Sequence, residues 1–182
     1  MKTNSDTLFS FYKSPITNTK PNRAATILQI YDLIRGNAYK DKTDHLRTLI
    51  DPQQARQYKV SNFDYVTFSG VFTSRKDCEL VKHSGLLCLD FDHLINLETI
   101  RTALLSDEYF ETQLLFTSPS GNGIKWLISI DTDTVTHGDY FTALSYYIKK
   151  KYAIEPDKSG RDISRACFLP NDPTAYINPN NY

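Results

Sequence analysis

The sequence lacks a long hydrophobic run, a net charge and a regular set of cysteines, and each absence excludes a class of protein. No apolar stretch approaches the ~20 residues that a membrane-spanning helix needs, so we expect no membrane partner. Lys and Arg number 21, as do Asp and Glu, so any contact with nucleic acid must come from a local patch. The three cysteines, Cys78, Cys88 and Cys167, are scattered, which predicts free thiols rather than disulfides or a zinc site.

The length and composition are those of a globular protein. The chain has 182 residues, of which 40% are apolar, enough for one sizeable core or for two small modules that share one. The polar start, MKTNSD, is unlike a secretory signal, so we expect a cytoplasmic location. The pattern of the chain changes near Ser84-Gly85, which predicts one domain made of two modules, 1–84 and 85–182.

The first module is predicted to be a small α/β unit. Apolar residues recur at helical spacing over 24–34 before Gly36, and Asp51-Pro52 is typical of a helix start. The segment 63–68 is rich in residues that favour strands. Further elements are predicted as a strand at 8–13, a short helix near 46–50 and a helix over 74–81.

The second module has a clearer pattern. Its predicted elements are strands at 86–91, 113–117, 124–130 and 165–169, with helices at 96–105 and 135–152. This βαββαβ order is that of ferredoxin-like and RNA-recognition-motif folds. Right-handed crossovers would place the first strand centrally, between the third and the fourth. The sequence therefore predicts an α+β fold in which the end of the first strand meets the beginnings of two others.

The strand at 86–91 runs into two carboxylates, Asp90 and Asp92. Strand side chains alternate between faces, so these two point the same way. At a separation of ~6 Å and an effective dielectric near 20 they repel each other by roughly 3 kcal/mol, a cost that a divalent cation reverses. The alternative is a strand that simply runs out into a polar loop.

A second polar segment is the turn SGNGIK at 120–125. Asn-Gly is by itself a strong hairpin signal. Small residues also let backbone amides approach phosphate oxygens, with the charge of Lys125 beside them. The segment joins two strands and opens no helix, so it is not a Walker loop.

The third polar segment, 155–165, is dense in charge just before the last predicted strand. A solvated loop would have the same composition. Arg165, however, starts an apolar run where a charge needs a partner, and Asp157 or Asp162 could complete a three-carboxylate metal site.

Several other residues are weaker candidates for the site. Arg75 is predicted as a possible contact from the first module, and His93 as a loop residue beside the aspartates. The helix end is predicted to carry three lysines, Lys149, Lys150 and Lys151. We expect them to complement the helix dipole or to contact a nucleic-acid backbone.

Together these residues resemble a known family. LDFD at 89–92, SGNGIK at 120–125 and Asp157 followed by Arg165 resemble the motif series of the archaeo-eukaryotic primase (primase-polymerase) superfamily. The stretch DISRACFL at 162–169, with Asp172-Pro173 and Tyr176, is most similar to its VirE N-terminal-domain branch. Members of that branch often precede a helicase-like domain in bacterial mobile elements. The resemblance covers residues from about 63 to 178.

The resemblance implies a primase-polymerase-like fold and metal-dependent nucleotidyl transfer. Mg²⁺ or Mn²⁺ would be held by three carboxylates, with Asp162 as the alternative third ligand, and the substrates would be nucleoside triphosphates with a single-stranded DNA or RNA template. The family's second motif has histidine where this chain has Lys125. The implied metal ligands are Asp90, Asp92 and Asp157; the catalytic residues are Asp90, Asp92 and Lys125; and the nucleotide-binding residues are Ser120, Gly121, Gly123, Lys125, Asp162 and Arg165.

The sequence leaves two other functions open. One is a module of the same fold that binds nucleotides or single-stranded nucleic acid and has weak catalytic activity or none. The other is a different phosphoryl-transfer enzyme on the same fold, such as a nuclease or a nucleotidyl cyclase.

Overall fold

The computed structural model describes residues 7–182 and has an α+β fold, as predicted. Residues 1–6, which carry the polar start, lie outside the described residues. Within 7–182 no helix is both long and apolar enough to cross a membrane. The cysteines at 78, 88 and 167 are all free, as expected.

The first half of the chain forms three helices and most of an antiparallel sheet. The first helix begins at a capping box in which Thr26 and Gln29 bond each other's backbone, and the third begins with Asp51 before Pro52. The elements are β1 (Phe9–Tyr12), β2 (Arg23–Ala25), α1 (Ile27–Arg35), α2 (Lys40–Thr48), α3 (Pro52–Asn62), β3 (Tyr65–Thr67), β4 (Gly70–Phe72) and β5 (Leu80–His83).

The predicted helix over 74–81 is wrong. A short 3₁₀ turn at Asp77–Glu79 leads instead into β5, which pairs with β4. Gly70 makes this pairing possible, since a Cβ there would lie 2.4 Å from the carbonyl oxygen of Lys82. The capping pattern at 74–77 involves neighbouring residues only. The hairpin depends on the close contact between Gly70 and Lys82, which are twelve residues apart.

The second half supplies the second sheet and two helices. The elements are β6 (Leu86–Phe91), α4 (Leu97–Leu105), β7 (Thr112–Thr117), β8 (Ile124–Ser129), α5 (His137–Tyr152), β9 (Cys167–Phe168) and β10 (Tyr176–Ile177). The first five follow the predicted order. The sheet order is β10-β7-β8-β6, antiparallel throughout.

The predicted ferredoxin-like strand order is wrong at the fourth strand. β9 does not flank β6; it pairs with β3 and completes the first sheet in the order β2-β1-β3-β9. The amide of Leu169 continues this attachment by donating to the carbonyl of Asp64. β10 lies beside β7, and among residues 7–182 β6 is an edge strand that pairs only with β8.

The second sheet is buried on both faces, which explains why its strands are almost uninterrupted apolar runs. Along β6, Leu87 and Leu89 pack in a core with α4 and α5. Leu86 and Cys88 face the other way and pack in a core shared with the first sheet and α1. By strand alternation Asp90 lies on the side of this second set.

Two histidines, the half-buried His83 and the buried His137, connect β5 to α5 and to the loop that follows α5. The amide of Gly85 donates to Nδ1 of His83 at 2.9 Å, and Nε2 of His83 lies 3.2 Å from Nδ1 of His137. Nε2 of His137 lies 3.4 Å from the carbonyl oxygen of Gly160. One neutral tautomer of each ring satisfies all three contacts, with Nε2 carrying the proton in both. Burial, reinforced by His137, lowers the pKa of His83 to about 4.

This pair predicts a loss of stability in mild acid. His83 is neutral when folded but takes a proton near pH 6.5 when unfolded, so its contribution is complete above pH 6.5 and disappears as the pH falls towards 4. Denaturant unfolding from pH 7 to pH 4 should show a decline in the free energy of unfolding that is shallower in His83→Gln. Parallel pH profiles for the two proteins would contradict this prediction.

Candidate metal centre

Three carboxylates from distant parts of the chain meet at the end of β6. Asp90 and Asp92 come from that strand and its exit, and Asp157 comes from the segment after α5. One oxygen from each lies within 4.8 Å of the other two. Asp90 and Asp157 are half-buried and Asp92 is exposed. The sequence predicted that Asp90 and Asp92 would meet a third carboxylate, Asp157 or Asp162, and the resemblance implied Asp157.

Asp157 reaches the cluster through backbone contacts rather than through the strand pairing predicted from the sequence. Its amide donates to the carbonyl of Asp90 at 2.7 Å, on the open edge of β6. A 3₁₀ turn then follows over Lys158–Arg161. A Cβ at Gly160 would lie 2.8 Å from the ring of Phe141, so only glycine lets the turn pack this closely.

The Asp157 carboxylate is held in its charged form. Burial alone would raise its pKa, but a hydrogen bond from the Ser159 amide at 2.9 Å and the charges of Arg165 and Lys125 bring the pKa below its ordinary value. Nη2 of Arg165 lies 3.3 Å from Oδ2 of Asp157. Arg165 thus has the anionic partner that the sequence predicted, while 48% of its side chain stays exposed.

Lys125 provides a cation inside the cluster. Lys125 and Asp90 are cross-strand neighbours on β8 and β6, and Nζ of Lys125 donates to Oδ2 of Asp90. Lys125 is buried, and burial lowers its pKa. The other oxygen, Oδ1 of Asp90, is buried and has no hydrogen-bond partner in residues 7–182. An unpaired buried carboxylate oxygen is costly, and it leaves a coordination position for a cation beside Asp92 and Asp157.

The turn at 118–123 lies beside Asp92. Ser118 and Ser120 place their hydroxyl oxygens 3.2 Å apart, and Oγ of Ser120 donates to Oδ1 of Asn122 at 2.9 Å. Gly121 has a φ of 83°, in the left-handed region. A Cβ at Gly123 would lie 2.4 Å from the carbonyl oxygen of Phe91 and 3.2 Å from Oδ1 of Asp92. Glycine at this position therefore lets the turn approach Asp92.

The sequence missed one residue beside this turn. Arg47, near the end of α2, donates to the carbonyl oxygens of Pro119 at 3.2 Å and Ser118 at 3.4 Å. It lies in an ordinary polar helix with no motif around it, so nothing in the pattern of residues pointed to it.

The remaining candidates lie in different places. Asp162 lines a cavity of about 20 Å³ that also borders Asp90 and Lys125, but it contributes no oxygen to the carboxylate cluster. Arg75 does not reach the site as suggested: its guanidinium lies 5.4 Å from the centre of the Tyr65 ring. His93 is next to the site, with Nδ1 3.3 Å from Nδ2 of Asn122.

Comparison with known proteins gives one assignment. Residues 58–177 match the family described as BT4734-like, N-terminal domain. No curated protein and no solved structure gives a match. The matched region contains the three carboxylates, the turn at 118–123 and Arg165. Since it covers well over half of the chain, the protein belongs to the BT4734-like N-terminal domain family.

Proposed function

We propose that this protein is a metal-dependent nucleotidyltransferase of the primase-polymerase type that acts in the replication of a mobile element. The observation that carries the proposal is the meeting of Asp90, Asp92 and Asp157 within 4.8 Å, beside a glycine-containing turn. The motif resemblance supports a primase-polymerase-like fold with nucleoside triphosphates and single-stranded DNA or RNA as substrates. It also favours a helicase-like domain or protein as a partner.

The donor set fits Mg²⁺ or Mn²⁺. Both ions prefer carboxylate oxygens and keep several positions for water and substrate phosphates. Asp90 offers an oxygen with no partner among residues 7–182, and Asp92 is exposed towards incoming ligands. When bound, the metal would activate a 3′ hydroxyl and neutralise charge on the leaving pyrophosphate.

The chain's own cations and amides would hold the triphosphate. Ser120 is exposed and Gly121 half-buried on the turn, where small side chains let a phosphate approach the backbone. Arg165 is exposed enough to donate to a phosphate while it contacts Asp157. Arg47 positions the turn through its two carbonyl contacts.

Lys125 limits the affinity of the site for free metal. Three carboxylates carry −3, and Lys125 with Arg165 contributes +2, which leaves a net charge of −1. A divalent ion gains little from so weak a field. A triphosphate would supply the missing negative charge, so we expect metal and nucleotide to bind together.

Substitution of the carboxylates should remove both metal binding and synthesis. With a primed and an unprimed template, nucleotides and Mn²⁺, Asp90→Asn combined with Asp92→Asn should give no detectable product, because the metal loses two ligands. Asp157→Asn should weaken Mn²⁺ binding in the presence of a nonhydrolysable triphosphate, measured by electron paramagnetic resonance. Asp133→Asn is the matched control and should keep the Mn²⁺ affinity of the unmodified protein, since this exposed carboxylate lies outside the cluster.

Product formation that persists in the Asp90/Asp92 variant would refute the assignment. Nucleotide affinity that is insensitive to both EDTA and Asp90→Asn, without turnover, would favour a binding module instead. Cleaved or cyclised products would identify a nuclease or a cyclase.

The charge of Lys125 predicts that its removal changes metal affinity in the direction opposite to removal of a carboxylate. Lys125→Met should raise the affinity for free Mn²⁺ by at least about tenfold, since one unit charge beside the ion is removed. The same change should weaken binding of the nucleotide with metal. Lys125→Arg keeps the charge and should bind free Mn²⁺ as weakly as the unmodified protein. Equal Mn²⁺ affinities for the Met variant and the unmodified protein would show that Lys125 does not compete with the metal.

A further inference from the structure

A groove with a volume of about 290 Å³ runs between α5 and the segment 155–161. Phe141 and Pro156 are buried and form its floor. Thr142 and Ser145 border it from the helix. The carboxylate-rich cluster and this groove share the segment 155–161, so the groove begins within one residue of Asp157.

The charge of the groove is one-sided. Lys149, Lys158 and Arg161 line it, against a single carboxylate, Glu155. Glu155 lies 2.5 Å from Lys149. No carboxylate of residues 7–182 forms an ion pair with Lys158 or Arg161. In a protein with no net charge, two cations beside one groove that form no ion pair within residues 7–182, with the charge of Glu155 near Lys158 as the one carboxylate of the groove, favour an anionic ligand.

An exposed aromatic ring accompanies these cations. Tyr146 is 65% exposed on the groove side of α5, and Nζ of Lys150 lies 5.5 Å from the centre of its ring. A ring in this position can stack on an unpaired base, whereas the bases of a duplex are already stacked on one another.

We propose that this groove binds a single-stranded nucleic acid, with Lys158 and Arg161 on its phosphates and Tyr146 stacked on a base. Its use as a path for the template strand rests on the proposed function, since only then does the strand lead to the site of synthesis. Binding itself needs neither metal nor nucleotide. The segment that holds Asp157 would thus contact the metal on one side and the strand on the other.

Fluorescence anisotropy with a labelled single-stranded DNA in EDTA, over a series of salt concentrations, tests this proposal. Lys158→Gln combined with Arg161→Gln should reduce the slope of log K against log salt by about 1.4, since each phosphate contact in single strands contributes about 0.7. Tyr146→Ala should weaken binding by about fivefold or more with little change in slope. Lys20→Gln combined with Arg56→Gln, both exposed and outside the groove, is the matched control and should bind as the unmodified protein does.

Thermal unfolding of each variant would verify that it is folded. Unchanged affinity and slope in both groove variants would overturn the proposal, as would equal competition by polyglutamate, which would identify an acidic peptide as the ligand. Equal competition by duplex DNA would also overturn it. The Asp90→Asn, Asp92→Asn protein should bind the strand normally. Strand binding without any synthesis by the unmodified protein would refute the proposed function and leave this groove assignment standing.

Discussion

The hydrogen bond from the amide of Asp157 to the carbonyl of Asp90 is the contact on which the site depends. β6 is an edge strand, and the polar groups of an edge need partners. The segment after α5 supplies one at 2.7 Å and in doing so brings the third carboxylate to the first two. Gly160 lets the following turn lie against Phe141. The geometry of the acidic cluster therefore follows from how an open strand edge is covered.

The register of β6 and β8 determines the electrostatics of the same site. Asp90 and Lys125 are opposite one another, so the charge pair is formed by strand pairing alone. A slip of one residue would turn Lys125 towards the core that contains Trp126 and would leave Asp90 without its cation. Because neighbouring side chains on β8 are fully buried in that core, such a slip is strongly disfavoured, and the register keeps the ion pair in place.

The sequence predicted the site better than it predicted the topology. Asp90, Asp92 and Asp157 meet, as the motif resemblance implied. The strand order from which their convergence was predicted is wrong, and Asp157 reaches β6 through its backbone amide instead. The position of β9 was wrong, because a short apolar strand carries no information about which sheet edge it will join. The first two residues of β5, Leu80 and Val81, were predicted as the end of a helix for a related reason: the contact between Gly70 and Lys82 that makes the segment a strand is not local. Arg47 was missed because the sequence around an exposed helical arginine does not show whether its side chain hydrogen-bonds to a distant turn.

The position of β9, a strand from the second half of the chain that lies in the first sheet, has a consequence for how the chain folds. Residues 7–84 by themselves would leave one edge of β3 unpaired, and residues 85–182 by themselves would leave β9 without the strand with which it pairs. Neither fragment would keep its complete hydrogen-bonded framework when separated from the other. The division near Ser84-Gly85 therefore marks a boundary in the sequence pattern, while cooperative unfolding would involve both parts together.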